Sequence, residues 1–153
     1  MSTKKARALG INHIVLEVDD LDEALQFYST IFEFKLRGRN EHNAFIDLGD
    51  QFIQLRVGRT QEPDVSRHFG LVVDDRKLVK KALEKMGVNL LERGLNFIDP
   101  WGNRVEVVAY SEIQFTKAAN ILRGMGSHSL KKTPAAISEL SQKAMAPKSE
   151  NTF

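Results

Sequence analysis

Two stretches of the chain alternate apolar and polar residues in the same way. Each has a histidine at its second position and ends in two aspartates. They are "NHIVLEVDD" at 12–20 and "RHFGLVVDD" at 67–75, and a shift of 55 residues aligns them. A period of two is typical of a strand with one buried face. A second pair, "FIDLGDQFIQL" at 45–55 and "FIDPWGNRVEV" at 97–107, aligns with a shift of 52 residues. The chain therefore contains an internal repeat.

Each copy of the repeat also predicts one helix and three further strands. The helix of the first copy follows an aspartate that can serve as its N-cap, and the helix of the second copy is expected to stop at Gly87. The runs "FKLRGRN", "NAFIDLG" and "QFIQLRV" follow in the first copy, and "VNLLE", "LNFID" and "RVEVVAY" in the second. Each copy is thus a β-α-β-β-β module. The predicted fold class is α+β, with two modules forming a curved mixed sheet around a cavity and the helices outside.

The repeat divides the chain into five predicted parts. An N-terminal arm (1–8) precedes the first module (9–58), and a polar linker (59–67) leads to the second module (68–112). A helical tail (113–153) ends the chain.

The tail has two amphipathic helical patterns. The first, in "YSEIQFTKAANILRGMG", is expected to end at Gly124, and the second, in "TPAAISELSQKAM", to begin at Thr133 with Pro134 in its first turn. Short helices of this kind are not stable alone. We therefore expect the tail to pack on the body, on a partner subunit, or over the cavity mouth as a lid. The last residues, "APKSENTF", are expected to be disordered.

Composition narrows the function classes. Of the 153 residues, 42% are hydrophobic and 27% charged, which is ordinary for a globular domain. Cysteine is absent, which excludes disulfides, thiolate nucleophiles and sulfur-ligated zinc. The net charge of +2 comes from the tail, and no basic stripe with interleaved aromatic residues predicts nucleic-acid binding. No apolar run is long enough for a membrane span or a signal segment, so a cytoplasmic protein is expected.

Strand alternation aims four polar side chains at the same hollow: His13, Gln54, His68 and Glu106. The same pattern places Tyr110 on this face. Valine residues flank Glu106 in a central strand, so burying its charge would be costly without a cation or hydrogen-bond donors. Two histidines and a carboxylate suit Zn, Fe, Mn, Ni or Co, and a glutamine can add a neutral oxygen. The alternative is that each is an isolated polar residue with local hydrogen bonds.

The pattern "NHIVLEVDDLDEALQFYSTIF…FIDLGDQFIQLRV…RHFGLVVDD…FIDPWGNRVEVV" resembles the vicinal oxygen chelate superfamily. That group contains lactoylglutathione lyase, extradiol dioxygenases, methylmalonyl-CoA epimerase and the fosfomycin and bleomycin resistance proteins. The resemblance covers about residues 9–112 and implies one divalent metal ion bound by His13, Gln54, His68 and Glu106. The order of these ligands is most similar to that of methylmalonyl-CoA epimerase. A metal-dependent lyase, isomerase or epimerase, or dioxygenase acting on a small oxygen-chelating substrate is implied.

Departures from the subfamily patterns narrow this expectation. Glu17 and Gly58 stand where lactoylglutathione lyases carry an arginine and an asparagine that are used on glutathione. Val15 stands where fosfomycin-modifying relatives have a threonine, and "LERGLN" replaces their serine-rich potassium loop. Neither glutathione dependence nor fosfomycin modification is therefore expected.

Two further residues on the cavity face are candidate catalytic residues. Glu17 shares a face with His13 about 6 to 7 Å farther along a strand, within reach of a metal-bound substrate as a base. Its alternative role is an ion pair with Arg56. Arg56 can instead clamp a carboxylate or phosphate of the substrate.

The linker between the modules bears on assembly. A connection this short makes closure of the two modules within one chain difficult, so we expect a homodimer with metal sites that two subunits can share. Two competing functions remain open: a non-catalytic resistance protein that binds a drug-like molecule in the same hollow, and a structural or regulatory dimer whose tail recruits a partner.

Overall fold

The structure is a computed structural model that describes residues 5–147. The predicted α+β fold class is confirmed. The first module has one helix and four strands in the predicted order: β1 (His13–Val18), α1 (Leu21–Ile31), β2 (Lys35–Arg39), β3 (Asn43–Asp47) and β4 (Phe52–Val57). Asp20 caps α1 as predicted, because its carboxylate accepts a hydrogen bond from the backbone N–H of Glu23 at 2.9 Å.

The second module has one strand fewer than predicted. Its elements are β5 (Phe69–Val73), α2 (Arg76–Lys85), β6 (Leu95–Ile98) and β7 (Arg104–Ala109). Gly87, with a φ of 70°, follows the end of α2 as predicted. The strand expected over "VNLLE" is reduced to a single bridge between Leu90 and Phe97. Leu90 packs against the apolar core, whereas Leu91 lines a groove beside Phe27.

The strands form two separate sheets, ordered β1-β4-β3-β2 and β5-β7-β6. Within residues 5–147 the two sheets are not hydrogen-bonded to each other, so the curved sheet that we expected is divided in two within one chain. Parallel pairing of β1 with β4 sets Val15 beside Gln54. Parallel pairing of β5 with β7 sets Gly70 beside Glu106.

Burial alternates along the central strands as the sequence predicts. Leu16, Val18, Leu55, Val105 and Val107 are buried in one apolar core that spans both modules. Helices α1 and α2 cover this side. The opposite side of each sheet carries the candidate site residues.

A buried polar network joins the two modules. Tyr28 on α1 donates its hydroxyl proton to Asp99 Oδ2 at 2.7 Å, and Asn103 Nδ2 donates to the same oxygen at 2.8 Å. Asn103 Nδ2 also donates to the backbone oxygen of Glu17 in β1 at 3.0 Å. The backbone N–H groups of Trp101 and Asn103 satisfy Asp99 Oδ1. The "DPWGN" turn of the second module therefore holds the first module through side-chain contacts.

The tail packs on the body of its own chain. After a 3-10 turn (Tyr110–Glu112) it forms α3 (Ala119–Gly124) and α4 (Pro134–Gln142). Helix α4 begins as predicted, with the Thr133 hydroxyl accepting a hydrogen bond from the Ala136 N–H. Helix α3 ends at Gly124 as predicted but is shorter than its pattern, and the positive φ of 74° belongs to Gly126, two residues after its end.

Three sequence-based expectations about this end of the chain have separate outcomes. Tyr110 does not point into the hollow, because it lies beyond the last strand and is buried beneath the tail. The disorder predicted at the C-terminus concerns mainly residues 148–153, which lie outside the described range. None of the helices in residues 5–147 has the length and apolar character needed to cross a bilayer.

Candidate functional site

The second sheet brings two predicted ligands together. His68 precedes β5, Glu106 lies in the middle of β7, and His68 Nε2 is 3.2 Å from Glu106 Oε2. Two ligand atoms each about 2.1 Å from one metal ion, at angles of about 90° to 109°, are about 3.0 to 3.4 Å apart. The observed separation therefore fits a pair of ligands on one cation.

The tautomer of a neutral His68 ring follows from the partner of its Nδ1 atom. Nδ1 lies 2.9 Å from the backbone oxygen of Ser66, and a carbonyl can only accept, so Nδ1 carries a proton. Nε2 of the neutral ring then directs its lone pair at the Glu106 carboxylate. Two lone-pair atoms at this distance repel each other unless a proton or a metal ion lies between them.

The environment of Glu106 differs from the sequence-based expectation. Its side chain is 39% exposed, so the argument that a buried charge needs compensation is wrong for this residue. Flanking valines are buried because they point to the helix side of β7, whereas Glu106 points to the open side. Beside it, a Cβ added at Gly70 would meet no atom within 4 Å, which leaves the carboxylate open to solvent.

His13 is held in the same tautomer on the first sheet. Its Nδ1 lies 2.8 Å from the side-chain oxygen of Asn12, which makes Nδ1 the donor and leaves the Nε2 lone pair free. The ring also stacks on Phe52, with centroids 4.7 Å apart and an interplanar angle of 7°. Metal-binding histidines commonly donate a hydrogen bond from the second ring nitrogen, as Nδ1 does here to Asn12.

Gln54 presents its amide oxygen. Its Nε2 donates to Asn43 Oδ1 at 2.7 Å across the β3–β4 pair. The amide nitrogen is thereby occupied, and the carbonyl oxygen is the atom left to accept or to bind a cation.

Glu17 and Arg56 are neighbours in the β1–β4 register, but the expected ion pair between them is not found among the salt bridges of residues 5–147. Glu17 Oε2 instead accepts a hydrogen bond from the backbone N–H of Thr60 at 3.1 Å, and the Thr60 hydroxyl lies 3.4 Å from both carboxylate oxygens. The first residues of the linker therefore occupy Glu17. The exposed Arg56 guanidinium has no side-chain partner within the described range.

The four predicted ligands do not all meet within one chain. Within the described range, no group of three or more His, Cys, Asp or Glu side chains is close enough to hold a metal ion. His68 and Glu106 lie on the second sheet, whereas His13 and Gln54 lie on the first. Between the free edges of β1 and β5 is a cleft of about 320 Å³, lined in part by Glu17, Arg67 and His68.

Residues that orient the ligands were missed by the sequence analysis. They are Asn12, Asn43, Phe52 and the Ser66 carbonyl. Two of them could have been found from the sequence: Asn12 directly precedes His13, and Phe52 lies opposite His13 in the strand register. For the Ser66 carbonyl there was no signal, since any residue supplies one.

Comparisons with known proteins find related sequences and a related structure. Metallothiol transferase FosB of Bacillus licheniformis is 28% identical over 116 residues, which cover 66% of this chain and 75% of that protein. Glutathione transferase FosA of Serratia marcescens is 24% identical over 111 residues, covering 64% and 79%. A glyoxalase/bleomycin resistance protein/dioxygenase from Alicyclobacillus acidocaldarius has a similar structure, with a TM-score of 0.52 and 26% identity over 66% of this chain and 91% of that one.

The family model that matches the chain describes the group already indicated by the repeat and the ligand pattern. It matches residues 10–107, which include both modules up to β7 and all four predicted ligands. The chain belongs to the glyoxalase/bleomycin resistance protein/dioxygenase superfamily.

Proposed function

We propose that this protein is an enzyme that depends on one divalent metal ion, bound by His13, Gln54, His68 and Glu106. The observation that carries the proposal is the 3.2 Å approach of His68 Nε2 to Glu106 Oε2 while Nδ1 is committed to a backbone carbonyl. Two lone-pair atoms at that distance repel each other unless a proton or a cation lies between them, and a divalent metal ion fulfils this requirement. Zn, Fe, Mn, Ni and Co all accept this combination of nitrogen and oxygen ligands.

The distribution of the ligands over two sheets supports a homodimer with shared sites. Strands β1 and β5 each have one edge without a strand partner within residues 5–147, and such edges are open to pairing with another chain. In a two-fold symmetric dimer, the first sheet of one copy meets the second sheet of the other, and the contact occurs twice. Each site would then contain His68 and Glu106 of one copy with His13 and Gln54 of the other.

The two remaining site residues have distinct roles in this proposal. A bound metal ion would act as a Lewis acid for the substrate oxygens and the negative charge that develops on them. Arg56 lies two residues beyond Gln54 on the same face of β4, and its free guanidinium suits a carboxylate or phosphate of the substrate. Within residues 5–147, Glu17 Oε1 has only the longer contact of 3.4 Å with the Thr60 hydroxyl, which supports a role for this oxygen as the proton acceptor.

Within this superfamily we favour a lyase, an isomerase or epimerase, or a dioxygenase acting on a small substrate with adjacent oxygens. Glu17, Gly58 and Val15 replace residues used by glutathione-dependent and fosfomycin-modifying members, so we propose a reaction that does not use glutathione. We also propose that the protein acts in the cytoplasm. We expect no nucleic-acid or membrane partner.

A second candidate is transfer of a thiol to a small electrophilic substrate. It is favoured by one observation, namely that the two curated relatives with 28% and 24% identity are named as thiol transferases. A third possibility is a resistance protein that binds a small molecule in the same hollow without turnover.

Metal content tests the main proposal. We expect protein purified without chelator to contain one divalent metal ion per chain, and His68→Ala and Glu106→Ala to lose it. The matched control is His42→Ala, which removes a histidine from the turn before β3. Native protein that stays metal-free after incubation with Zn, Mn, Ni and Fe(II) would refute the proposal.

The co-substrate that the protein consumes then distinguishes the candidate reaction classes from one another. Oxygen uptake by the iron-loaded protein with a catechol would identify a dioxygenase. Loss of free thiol with an epoxide substrate would support the transferase candidate instead. Tight binding of a small aromatic compound, with neither consumption nor conversion of it, would identify the non-catalytic binding protein.

A further inference from the structure

We propose that the described part of the tail, residues 113–147, holds the His13 ring in the orientation needed for metal binding, and that it acts through the turn at residues 48–51. The inference rests on the proposed function in one respect, namely that His13 is a ligand. It otherwise follows from a continuous series of contacts that joins the tail to this ring.

The tail is fixed firmly where it leaves the body. Lys132 Nζ donates hydrogen bonds to the backbone oxygens of Tyr110, Ile113 and Phe115. The same ammonium lies 3.6 Å from the centroid of the Tyr110 ring, a favourable cation–π position. Lys132 therefore closes the loop between the 3-10 turn and α4, because its single side chain contacts three carbonyl oxygens and one aromatic ring.

From this base the tail reaches the β3–β4 turn of the first module. Lys117 Nζ pairs with Asp50 Oδ1, and its side chain is only 9% exposed. Helix α3 also lies directly over Gly49, where an added Cβ would be 2.7 Å from Met125 Sδ and 2.9 Å from Ile121 Cγ2. The absence of a side chain at residue 49 is thus what allows the helix to contact the turn so closely.

The same turn positions Arg37. Arg37 Nη2 donates to the backbone oxygens of Gly49 and Gln51, on either side of Asp50, and to Asp47 Oδ1, each at 3.0 Å. Its guanidinium carbon then lies 4.7 Å from the centroid of Phe52. Any displacement of the turn therefore moves the cation that packs on the Phe52 ring.

Phe52 completes the series. It stacks on His13 at 4.7 Å with nearly parallel rings. His13 is exposed, and its only other side-chain contact that fixes the ring, within the described residues, is the Nδ1 hydrogen bond to Asn12. The hydrogen bond alone would leave the ring plane free to rotate, whereas stacking against Phe52 prevents that rotation. Loss of such an outer support typically weakens metal binding about 10- to 100-fold.

The described part of the tail, residues 113–147, lies outside the part of the chain that matches the family model, residues 10–107. Lys117 would therefore be a positioning residue that this chain adds to the shared fold, and it would act through Phe52, which lies within the matched part. The apolar groove beside Phe27 and the lysine-rich outer face of α2 have no comparable contact with a ligand residue in the described part of the chain.

The experiment follows the His13 ring directly by proton–nitrogen and proton–carbon NMR, since the chain contains only four histidines. Phe52→Leu removes the stacked ring and defines the unsupported signal. Lys117→Met and Asp50→Asn each break the ionic contact, and Lys143→Met is the matched control because that ammonium contacts Gln114 within the tail. We expect the His13 signals of Lys117→Met and Asp50→Asn to shift toward those of Phe52→Leu, and those of Lys143→Met to stay unchanged. The signals of His42 and His68, which lie outside the tail, should not move.

Zinc titration gives the second readout. We expect Lys117→Met to bind Zn about 10-fold more weakly than native protein. The double variant that adds Asp50→Asn should bind Zn no more weakly than Lys117→Met. The exchange of Lys117→Asp with Asp50→Lys should restore part of the affinity. His13 signals identical in native protein, Lys117→Met and Asp50→Asn would overturn the inference. Native protein that binds no Zn would instead refute the proposed function, while the NMR comparison would still decide this inference. If Lys117→Met unfolds, Asp50→Asn and the exchanged pair decide it.

Discussion

The imidazole rings of His13 and His68 are each committed at Nδ1 to an oxygen acceptor, and in both rings Nε2 is the nitrogen left for a metal ion. The acceptors differ, since one is a side-chain amide and the other a backbone carbonyl. The repeat therefore preserves the orientation of the ring nitrogen rather than the identity of its partner. Alternation in the sequence identified the four candidate ligand residues, but the acceptors depend on loop conformations that alternation does not determine.

At the same scale, Tyr28 and Asp99 give a stability prediction. Burial, together with the neighbouring Asp99 charge, raises the pKa of Tyr28 well above its usual value, so the hydroxyl remains a donor. Tyr28→Phe removes one of the hydrogen bonds to a buried carboxylate, and we expect it to lower the free energy of unfolding by about 1–3 kcal/mol. Urea unfolding measures this. Tyr110→Phe is the control, because that hydroxyl makes no hydrogen bond within residues 5–147, and an equal loss in both variants would contradict the assignment.

At the scale of the elements, periodicity and capping residues predicted most of the fold. Asp20, Gly87 and Thr133 mark helix boundaries as expected, because a cap acts on its own turn of backbone. The failures occur where tertiary contacts decide. Residues 88–92 keep only a single bridge at Leu90, which packs on the core. The residues before α3 are not helical, and Lys117 among them pairs with Asp50 of the first module.

The attachment of α4 predicts a dependence of stability on pH. Burial lowers the pKa of Lys132 to about 8, from 10.5 for a free lysine. Between these two values the unfolded chain binds a proton that the folded chain has released, so the free energy of unfolding rises with pH over this interval. Relative to Lys132→Met, native protein should therefore gain stability from about pH 8 to about pH 10 and no longer gain above the upper value. Urea midpoints at several pH values measure it, with the exposed Lys143→Met as control. A difference that stays constant with pH would contradict the prediction.

At the scale of the whole molecule, the repeat explains why one chain holds the four predicted ligands in two separate pairs. Each module supplies two of the predicted ligands on the open face of its own sheet, and the core and the Asp99 network join the modules on the opposite side. Packing the helices together in this way keeps the two open faces apart. Alternation in the sequence predicts that four residues face one hollow, but it does not predict that the packing of one chain separates them into two pairs, because alternation describes each strand and not how the two sheets are placed.

Complementation between two inactive variants tests whether copies share each site. His13→Ala and Glu106→Ala should each fail to bind metal. In a mixed dimer with shared sites, both mutations fall in one site, and the other site recovers all four ligands. An equal mixture, unfolded and refolded together, should therefore recover about a quarter of the native metal content, because half of the dimers are mixed and each has one intact site. Mixing His68→Ala with Glu106→Ala is the matched control and should recover none, since both residues come from the same copy. If His13→Ala with Glu106→Ala also recovers none, the site lies within a single chain.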